Sequence, residues 1–443
     1  MGKLFGTDGV RGIANEQLTP ELAFKLGRAV ALQVALKEKN NFIAIGKDTR
    51  ISGDMLEAAL TAGICSAGVN VYKLGVLPTP GISYLTRKLG AVAGAVISAS
   101  HNPMQDNGIK FFNHQGYKLS DELESEVEQA VFDFIDGGGL RPVGSAVGKV
   151  IEIADAEERY GKFLISTFDG SLEGLRIVLD CANGAAYQVA PHVLIELGAE
   201  VILFNAKPNG SNINKNCGST HMEKLPEIVR GVKADLAIAH DGDADRVLMI
   251  DENGKLIDGD QIMMICAKHI KEKGLLDANK LVVTVMSNLG LKQAAKRLHI
   301  DLAETQVGDR YVLEEMLKCG AMLGGEQSGH IIFHRHNTTG DGVLTALQLL
   351  QVMIDDKKPL SVLAKCMEVL PQILINVPVK NKQAVLEKAE FLSAIAEAEA
   401  VLGDAGRILV RPSGTESLIR IMVEGNDQLQ INAIAEELAE IIR

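Results

Sequence analysis

Leu236-Ala237-Ile238-Ala239-His240-Asp241-Gly242-Asp243-Ala244-Asp245-Arg246-Val247-Leu248-Met249-Ile250 places two short apolar runs on either side of three carboxylates. Each apolar run has the length and composition of a buried strand. The acids recur at i, i+2 and i+4, a spacing that on an extended backbone turns all three side chains to one side. Like charges that close repel, so the arrangement makes sense with a cation between them. A ligand set made only of oxygen favours a hard ion, Mg²⁺ above all, which keeps coordination positions open for phosphate. A solvated acidic turn is the bland alternative. A calcium loop is the sharper one, since Glu252 falls where its last ligand belongs. It fails because Arg246 stands where that loop needs glycine, and strand-like apolar residues follow.

A cation that coordinates phosphate needs a phosphate. Gly94-Ala95-Val96-Ile97 reads as a strand that runs into Ser98-Ala99-Ser100-His101-Asn102-Pro103, where Asn-Pro signals a turn. The two serines therefore sit at the lip of a sheet. Ser100 is a candidate nucleophile or phosphate carrier, with His101 and Lys110 as candidate proton handlers; a loop of capping serines would look the same in isolation.

Two further segments suit anionic, hydroxyl-rich ligands. Gly324-Gly325-Glu326-Gln327-Ser328-Gly329-His330 sets a carboxylate, an amide, a hydroxyl and an imidazole among glycines that permit close backbone approach. Arg411-Pro412-Ser413-Gly414-Thr415-Glu416 follows the apolar run Ile408-Leu409-Val410, and its guanidinium, hydroxyls and backbone N–H groups are means of gripping a phosphate. Arg420 could add a second guanidinium.

These four segments, in this order, resemble the α-D-phosphohexomutase superfamily, and within it the bacterial phosphoglucosamine mutase branch. Lys3-Leu4-Phe5-Gly6-Thr7-Asp8-Gly9-Val10-Arg11-Gly12 is similar to that branch's opening, so the likeness spans almost the whole chain. It implies an isomerase that interconverts glucosamine 6-phosphate and glucosamine 1-phosphate through a phosphoserine, with glucosamine 1,6-bisphosphate as intermediate and activator. Such an enzyme supplies amino-sugar nucleotide and cell-wall precursor synthesis. The resemblance puts the phosphate on Ser100 rather than Ser98, and Mg²⁺ on Asp241, Asp243, Asp245 and the Ser100 phosphate oxygen. It gives Glu326 and Ser328 to the sugar, with His330 beside them, and Arg411, Ser413, Gly414 and Thr415 to a phosphate. Arg11 and Lys110 match basic residues near the transferring group, and Lys110, His330 and His101 are the candidates for acid and base. Priming of Ser100 by a kinase or by autophosphorylation, and a homodimer, are compatible with it. A sibling phosphomannomutase or phosphoglucomutase is the nearest alternative, and a non-catalytic sugar-phosphate sensor a remote one.

The 443 residues carry a formal net charge of −12, which argues against nucleic acid and anionic membranes as partners. Attraction for a sugar phosphate must then be local, from Arg11, Lys110, Arg246, Arg411, Arg420 and the metal. Six scattered cysteines without a Cys-x-x-Cys pair suit a reducing compartment. With no signal segment and no run of membrane-spanning length, a cytoplasmic protein is expected.

Strands alternate with helical patterns along the chain. Thr19-Pro20-Glu21 opens a helix with Thr as its cap; Asn41–Gly46 reads as a strand, with a loop at Asp48-Thr49-Arg50 and a helix near Met55–Ala67 after it. The same rhythm recurs at Leu175–Leu203 and Leu281–Leu298. Repeated βαβ units imply largely parallel sheets between helices. The expectation is three successive α/β sandwich domains, 1–150 with the serine loop, 151–252 with the acidic triplet and 253–368 with the Glu326 loop. A smaller α+β phosphate-binding domain, 369–443, completes the chain. Gly137-Gly138-Gly139 reads as a boundary region or an exposed loop. Ligand loops gather at the carboxyl ends of such strands, so a cleft between the domains is expected to hold the site.

Overall fold

The computed structural model describes residues 4–6, 8–35, 41–134, 141–412 and 417–443. The chain divides into two compact units, one of Met1–Met286 with Ile300–Lys365 and the other of Ser287–His299 with Cys366–Arg443.

Among the described residues the first unit holds three mixed sheets. The first runs, edge to edge, through Val10–Ile13, Asp106–Asn113, Ala93–Ile97, Phe42–Lys47, Asn70–Val76 and Val150–Glu152. Its last four strands are mutually parallel, and Asp106–Asn113 pairs antiparallel with both Ala93–Ile97 and Val10–Ile13. The edge strand Val150–Glu152 extends this sheet across position 150. The second sheet orders Leu256–Ile257, Val247–Asp251, Leu236–His240, Arg176–Asp180 and Glu200–Phe204, and the third Asp301–Thr305, Lys280–Thr284, Leu323–Gly325 and Ile331–Phe333.

One device recurs in all three. A strand of the parallel set hands the chain to an antiparallel neighbour: Ala93–Ile97 to Asp106–Asn113, Leu236–His240 to Val247–Asp251, and Leu323–Gly325 to Ile331–Phe333. The serine loop, the acidic loop and the Glu326 loop are these three connections. Each leaves the carboxyl end of a strand buried on both faces, which explains why those strands read as unbroken apolar runs rather than alternating ones.

The helices follow their sequence signals. Thr19 caps Pro20–Gln33 by accepting from the Leu22 amide, and proline occupies the first turn, where its missing N–H costs nothing. Pro20–Gln33 and Ser52–Ser66 cover the first sheet over a core that includes Leu26, Val30, Ile43, Ile45, Leu56 and Leu60.

The second unit sets an antiparallel sheet, ordered Gln372–Pro378, Leu418–Gly425, Gly406–Pro412, against Ala389–Leu402 and Gln428–Ile442. Phe391, Ile419, Ile421, Ile431 and Leu438 are buried there. The helix Leu289–Arg297 belongs to this unit, joined to it by Asn288, which exchanges hydrogen bonds with the Leu370 backbone at 3.0 Å each way. No helix among the described residues is long and apolar enough to cross a membrane. Gly137-Gly138-Gly139 lies outside the described residues.

A buried acid in the first unit ties stability to pH. Asp341 caps the helix Gly342–Asp356 through the Leu344 amide and also accepts from the Tyr160 hydroxyl at 2.8 Å and from Asn337 Nδ2 at 3.0 Å. Burial pushes its carboxyl up from 3.8 to about 6 against those donors. The fold therefore favours the protonated acid, a contribution present in full below the unfolded value and lost as pH rises through about 6. Thermal midpoints should show Asp341→Asn gaining on the wild type as pH rises from about 4 to about 7, with no further gain above that. Parallel curves for the two proteins would contradict this.

Candidate active site

The acidic loop does not run extended. Asp241–Asp245 is a turn in which Ala244 takes a left-handed backbone, φ 54°, so the expected one-sided strand geometry gives way to a loop folded on itself. Its carbonyls explain how that shape is held. Those of Gly242, Asp243 and Ala244 accept from the amides of Ala185 (2.8 Å), Thr79 (3.0 Å) and Gly342 (3.0 Å), and that of Arg246 lies 3.2 Å from His240 Nδ1. Three separate segments, together with the end of the loop's own leading strand, therefore shape a loop that alternation alone could not.

Folding the turn back brings the three carboxylates together, with one oxygen from each within 4.8 Å of the others and all three residues buried. Each pair of such charges repels by roughly 3–4 kcal/mol at an effective dielectric of about 20. The local partners answer this unequally. Asp241 accepts from the Ser100 hydroxyl at 2.7 Å and from the Arg246 amide at 3.2 Å. Burial, then the charges of Asp245 and Asp243, hold its carboxyl well above the usual range. Asp243 accepts from the Thr79 hydroxyl at 2.7 Å, at the start of the helix Thr79–Lys88, and lies 3.4 Å from Lys110 Nζ. Burial pushes Asp243 up, but Lys110, the Thr79 hydroxyl, Arg11 and Arg50 outweigh it and hold the carboxyl below its ordinary value. Burial and Asp243 raise Asp245.

The fit to a cation rests on the oxygens left over. Asp243 Oδ1 and Asp245 Oδ1 are buried with no hydrogen-bond partner. Two orphaned anionic oxygens beside a third carboxylate could hold a hard divalent ion, which would supply the neutralisation that Lys110 and Arg246 provide only in part.

Ser100 reaches this cluster from the first sheet. It too has a left-handed backbone, φ 51°, a strain of about 1–3 kcal/mol for a residue with a side chain. His101 Nδ1 is 3.3 Å from its hydroxyl. Burial, then the charges of Arg246 and Arg11, push that imidazole down to about 4, so it is neutral near pH 7. Lys110 is buried; burial works to lower it, yet Asp243 and Asp245 raise it above its ordinary value, so it stands as an ammonium and not as a base.

Ser100, Lys110, Arg11, Arg246, Glu326 and His330 all line one cavity of about 220 Å³. Backbone bonds stitch its walls: the Val247 amide donates to the Gly329 carbonyl at 3.1 Å, and Arg246 bridges His330. Both nitrogens of the buried His330 lack a hydrogen-bond partner. Glu326 accepts from the Gly308 amide at 3.0 Å and from the Ser328 hydroxyl at 3.3 Å. Lys118 carries Asp309 and Asp8 at the rim, at 2.6 and 3.6 Å. Arg411 and Arg420 belong to the second unit, directly opposite one another on paired strands. Ser413, Gly414 and Thr415 lie outside the described residues.

Sequence reasoning missed Thr79, Asp309, Asp8 and the partners of the serine loop. Thr79-Pro80 at a helix start was the one local signal for the first; the serine loop's partners lie 50 residues away for Asp48 and Arg50 and 114 for Asn214, and Lys118 meets Asp8 and Asp309 from elsewhere in the chain.

A fold of three α/β sandwiches and a small α+β domain, with a serine at a buried acidic cluster, defines a phosphosugar mutase of the phosphohexomutase kind. The chain belongs to the phosphoglucomutase/phosphomannomutase family, whose alpha/beta/alpha domains I, II and III match residues 2–134, 158–254 and 258–370 and whose C-terminal domain matches 374–441. Phosphoglucosamine mutase of Desulforamulus reducens is 60% identical over 443 residues, covering 100% of this chain and 99% of the relative. That of Pelotomaculum thermopropionicum is 59% identical with the same coverage. In fold, the chain is similar to a phosphoglucomutase/phosphomannomutase family protein of Burkholderia thailandensis, with TM-score 0.84, 21% identity and coverage of 99% and 96%. It is also similar to Aspergillus fumigatus N-acetylphosphoglucosamine mutase, solved with GlcNAc-6P and magnesium, with TM-score 0.71, 17% identity and coverage of 99% and 95%.

The orphaned oxygens make a direct test. Asp243→Asn replaces a charged ligand with a neutral amide and should weaken Mg²⁺ binding at least about tenfold in a calorimetric titration. Unchanged affinity would remove the triad as a metal site.

Proposed function

We propose that the protein is a phosphoglucosamine mutase, interconverting glucosamine 6-phosphate and glucosamine 1-phosphate through phosphorylated Ser100 and an enzyme-held 1,6-bisphosphate. The observation that carries this is the Ser100 hydroxyl, 2.7 Å from a buried carboxylate of the triad and opening on a cavity lined by Arg11, Lys110 and Arg246. The full-length relatives near 60% identity support the choice of sugar.

The chemistry follows from charge. A hydroxyl of the bound hexosamine phosphate attacks the Ser100 phosphoryl group; its bond to Oγ breaks as the new P–O bond forms, giving the bisphosphate. The intermediate turns over, and its other phosphoryl group returns to Oγ. Mg²⁺ held by Asp241, Asp243, Asp245 and the phosphoserine oxygen would neutralise charge spread over the transferring group. Lys110, held as an ammonium, gives further compensation and is suited to donate toward the departing Oγ. His330, buried in the cavity wall with neither nitrogen hydrogen-bonded and Nε2 3.9 Å from Asp309 Oδ2, is suited to take the proton of the attacking hydroxyl. His101, neutral near pH 7, is the lesser candidate. Glu326 and Ser328 would contact the sugar, and Arg411, Ser413, Gly414, Thr415 and Arg420 would grip the phosphate that is not being transferred. The four-part division at 150, 252 and 368, a cytoplasmic setting, a homodimer, and priming of Ser100 by a kinase or by autophosphorylation belong to the same reading.

Ser100→Ala should abolish turnover with the thermal midpoint nearly unchanged, and phosphopeptide mass spectrometry should find the wild-type phosphate on Ser100. Modification on Ser98 would overturn the assignment. Glucosamine 6-phosphate should give the highest kcat/KM. A charge-assisted bond from the sugar's ammonium to Glu326 is worth about 1.5–3 kcal/mol, or roughly ten- to a hundredfold. Glu326→Gln should therefore narrow the preference over glucose and mannose phosphates as well as slow the enzyme. Equal or faster wild-type turnover of mannose 6-phosphate would move the chain to the sibling activity.

A further inference from the structure

The backbone of Ser100 is held by groups that no chemical step uses. Its amide donates to Ser98 Oγ at 2.9 Å, and that hydroxyl donates to Asp48 Oδ2 at 2.6 Å. Asp48 is ion-paired with Arg50, and both are buried. Arg50 Nη2 then donates to the carbonyls of Ser100 (3.2 Å) and Asn102 (2.5 Å). Asn214 Nδ2 donates to the same two carbonyls, at 2.8 and 3.0 Å. Gly242 closes the remaining side, since a Cβ there would lie 2.5 Å from the Ser100 carbonyl oxygen and 2.7 Å from Asn214 Nδ2.

Amide and carbonyl of Ser100 are thus both fixed, and the residue is kept at a φ of 51° that a side-chain-bearing residue seldom adopts unaided. Relaxation to an ordinary φ would swing Oγ away from Asp241. The donors come from two regions of the chain: Arg50 follows the first-sheet strand Phe42–Lys47, whereas Asn214 follows the second-sheet strand Glu200–Phe204 and packs against the acidic loop. The same side chains that shape the serine loop therefore register it on the carboxylates.

We propose that Arg50 and Asn214 are positioning residues of phosphoryl transfer, clamping the Ser100 and Asn102 carbonyls so that Oγ stays aimed at the acidic cluster. This rests on the reading of Ser100 as phosphoryl carrier. Arg50 is a poor probe, because removing it strands the buried charge of Asp48. Asn214 is a good one: its own φ of 57° is tolerated by glycine and by aspartate, so Asn214→Gly deletes the donor without backbone strain, and Asn214→Asp keeps the shape but faces two carbonyls with acceptors.

The test measures mutase kinetics per phosphorylated Ser100, counted by mass spectrometry, alongside the thermal midpoint. Both variants should lose at least about tenfold in kcat per phosphoserine, with KM within about twofold, because an interaction that orients the reacting group without binding substrate appears in kcat. Asn214→Asp should lose the more. Full kcat per phosphoserine in both variants, with only the thermal midpoint lowered, would show a merely structural role and overturn the clamp. A wild type that carries phosphate on Ser100 but turns over no hexose phosphate would instead defeat the proposed function, and the clamp with it.

Discussion

Mutual repulsion among Asp241, Asp243 and Asp245 is the constraint around which the first unit is organised. Carboxylates buried this close cannot share a volume unless each finds compensation, and the compensation here comes from far apart in the chain. Thr79 and Lys110 serve Asp243, Ser100 serves Asp241, and Lys110 with Arg246 stands near Asp245. A cluster of this kind forms only when several sheets are already in place, so assembling the reactive centre and folding the unit are coupled events.

That coupling explains the division of labour between side chain and backbone. The acids face inward to whatever neutralises them, while the carbonyls of the same loop are taken up by amides of Ala185, Thr79 and Gly342. Ala244 and Ser100 each pay a backbone cost that is met by this surrounding network rather than by local preference. The result is a cluster of carboxylates whose positions are set in advance, as the proposed phosphoryl transfer at Ser100 requires.

Much of this was legible from residue order alone. The strand–loop–strand reading of Leu236–Ile250 held, as did the Thr19 cap and the strand leading into Ser98. Those features are local: burial on both faces makes strands continuous apolar runs, and a cap needs only neighbours. The shape of the acidic loop was not legible, because an i, i+2, i+4 spacing describes a strand and cannot show that Ala244 reverses direction. Thr79, Arg50 and Asn214 were invisible for the same reason. Their partners stand 164, 50 and 114 positions away, and a threonine, an arginine and an asparagine carry no motif that names a distant carbonyl or carboxylate. Lys110 was legible as a cation but not as one held protonated, which required seeing Asp243 and Asp245 beside it.

The account stands or falls on the serine giving its own phosphoryl group to the sugar. Enzyme carrying isotopically labelled phosphate on Ser100 should be mixed with unlabelled glucosamine 6-phosphate and followed through one turnover. Transfer through a bisphosphate predicts that the label leaves the protein and appears in glucosamine 1-phosphate, while Ser100 ends up carrying the unlabelled phosphate that the substrate brought. Product formation with the label still on the protein would contradict it.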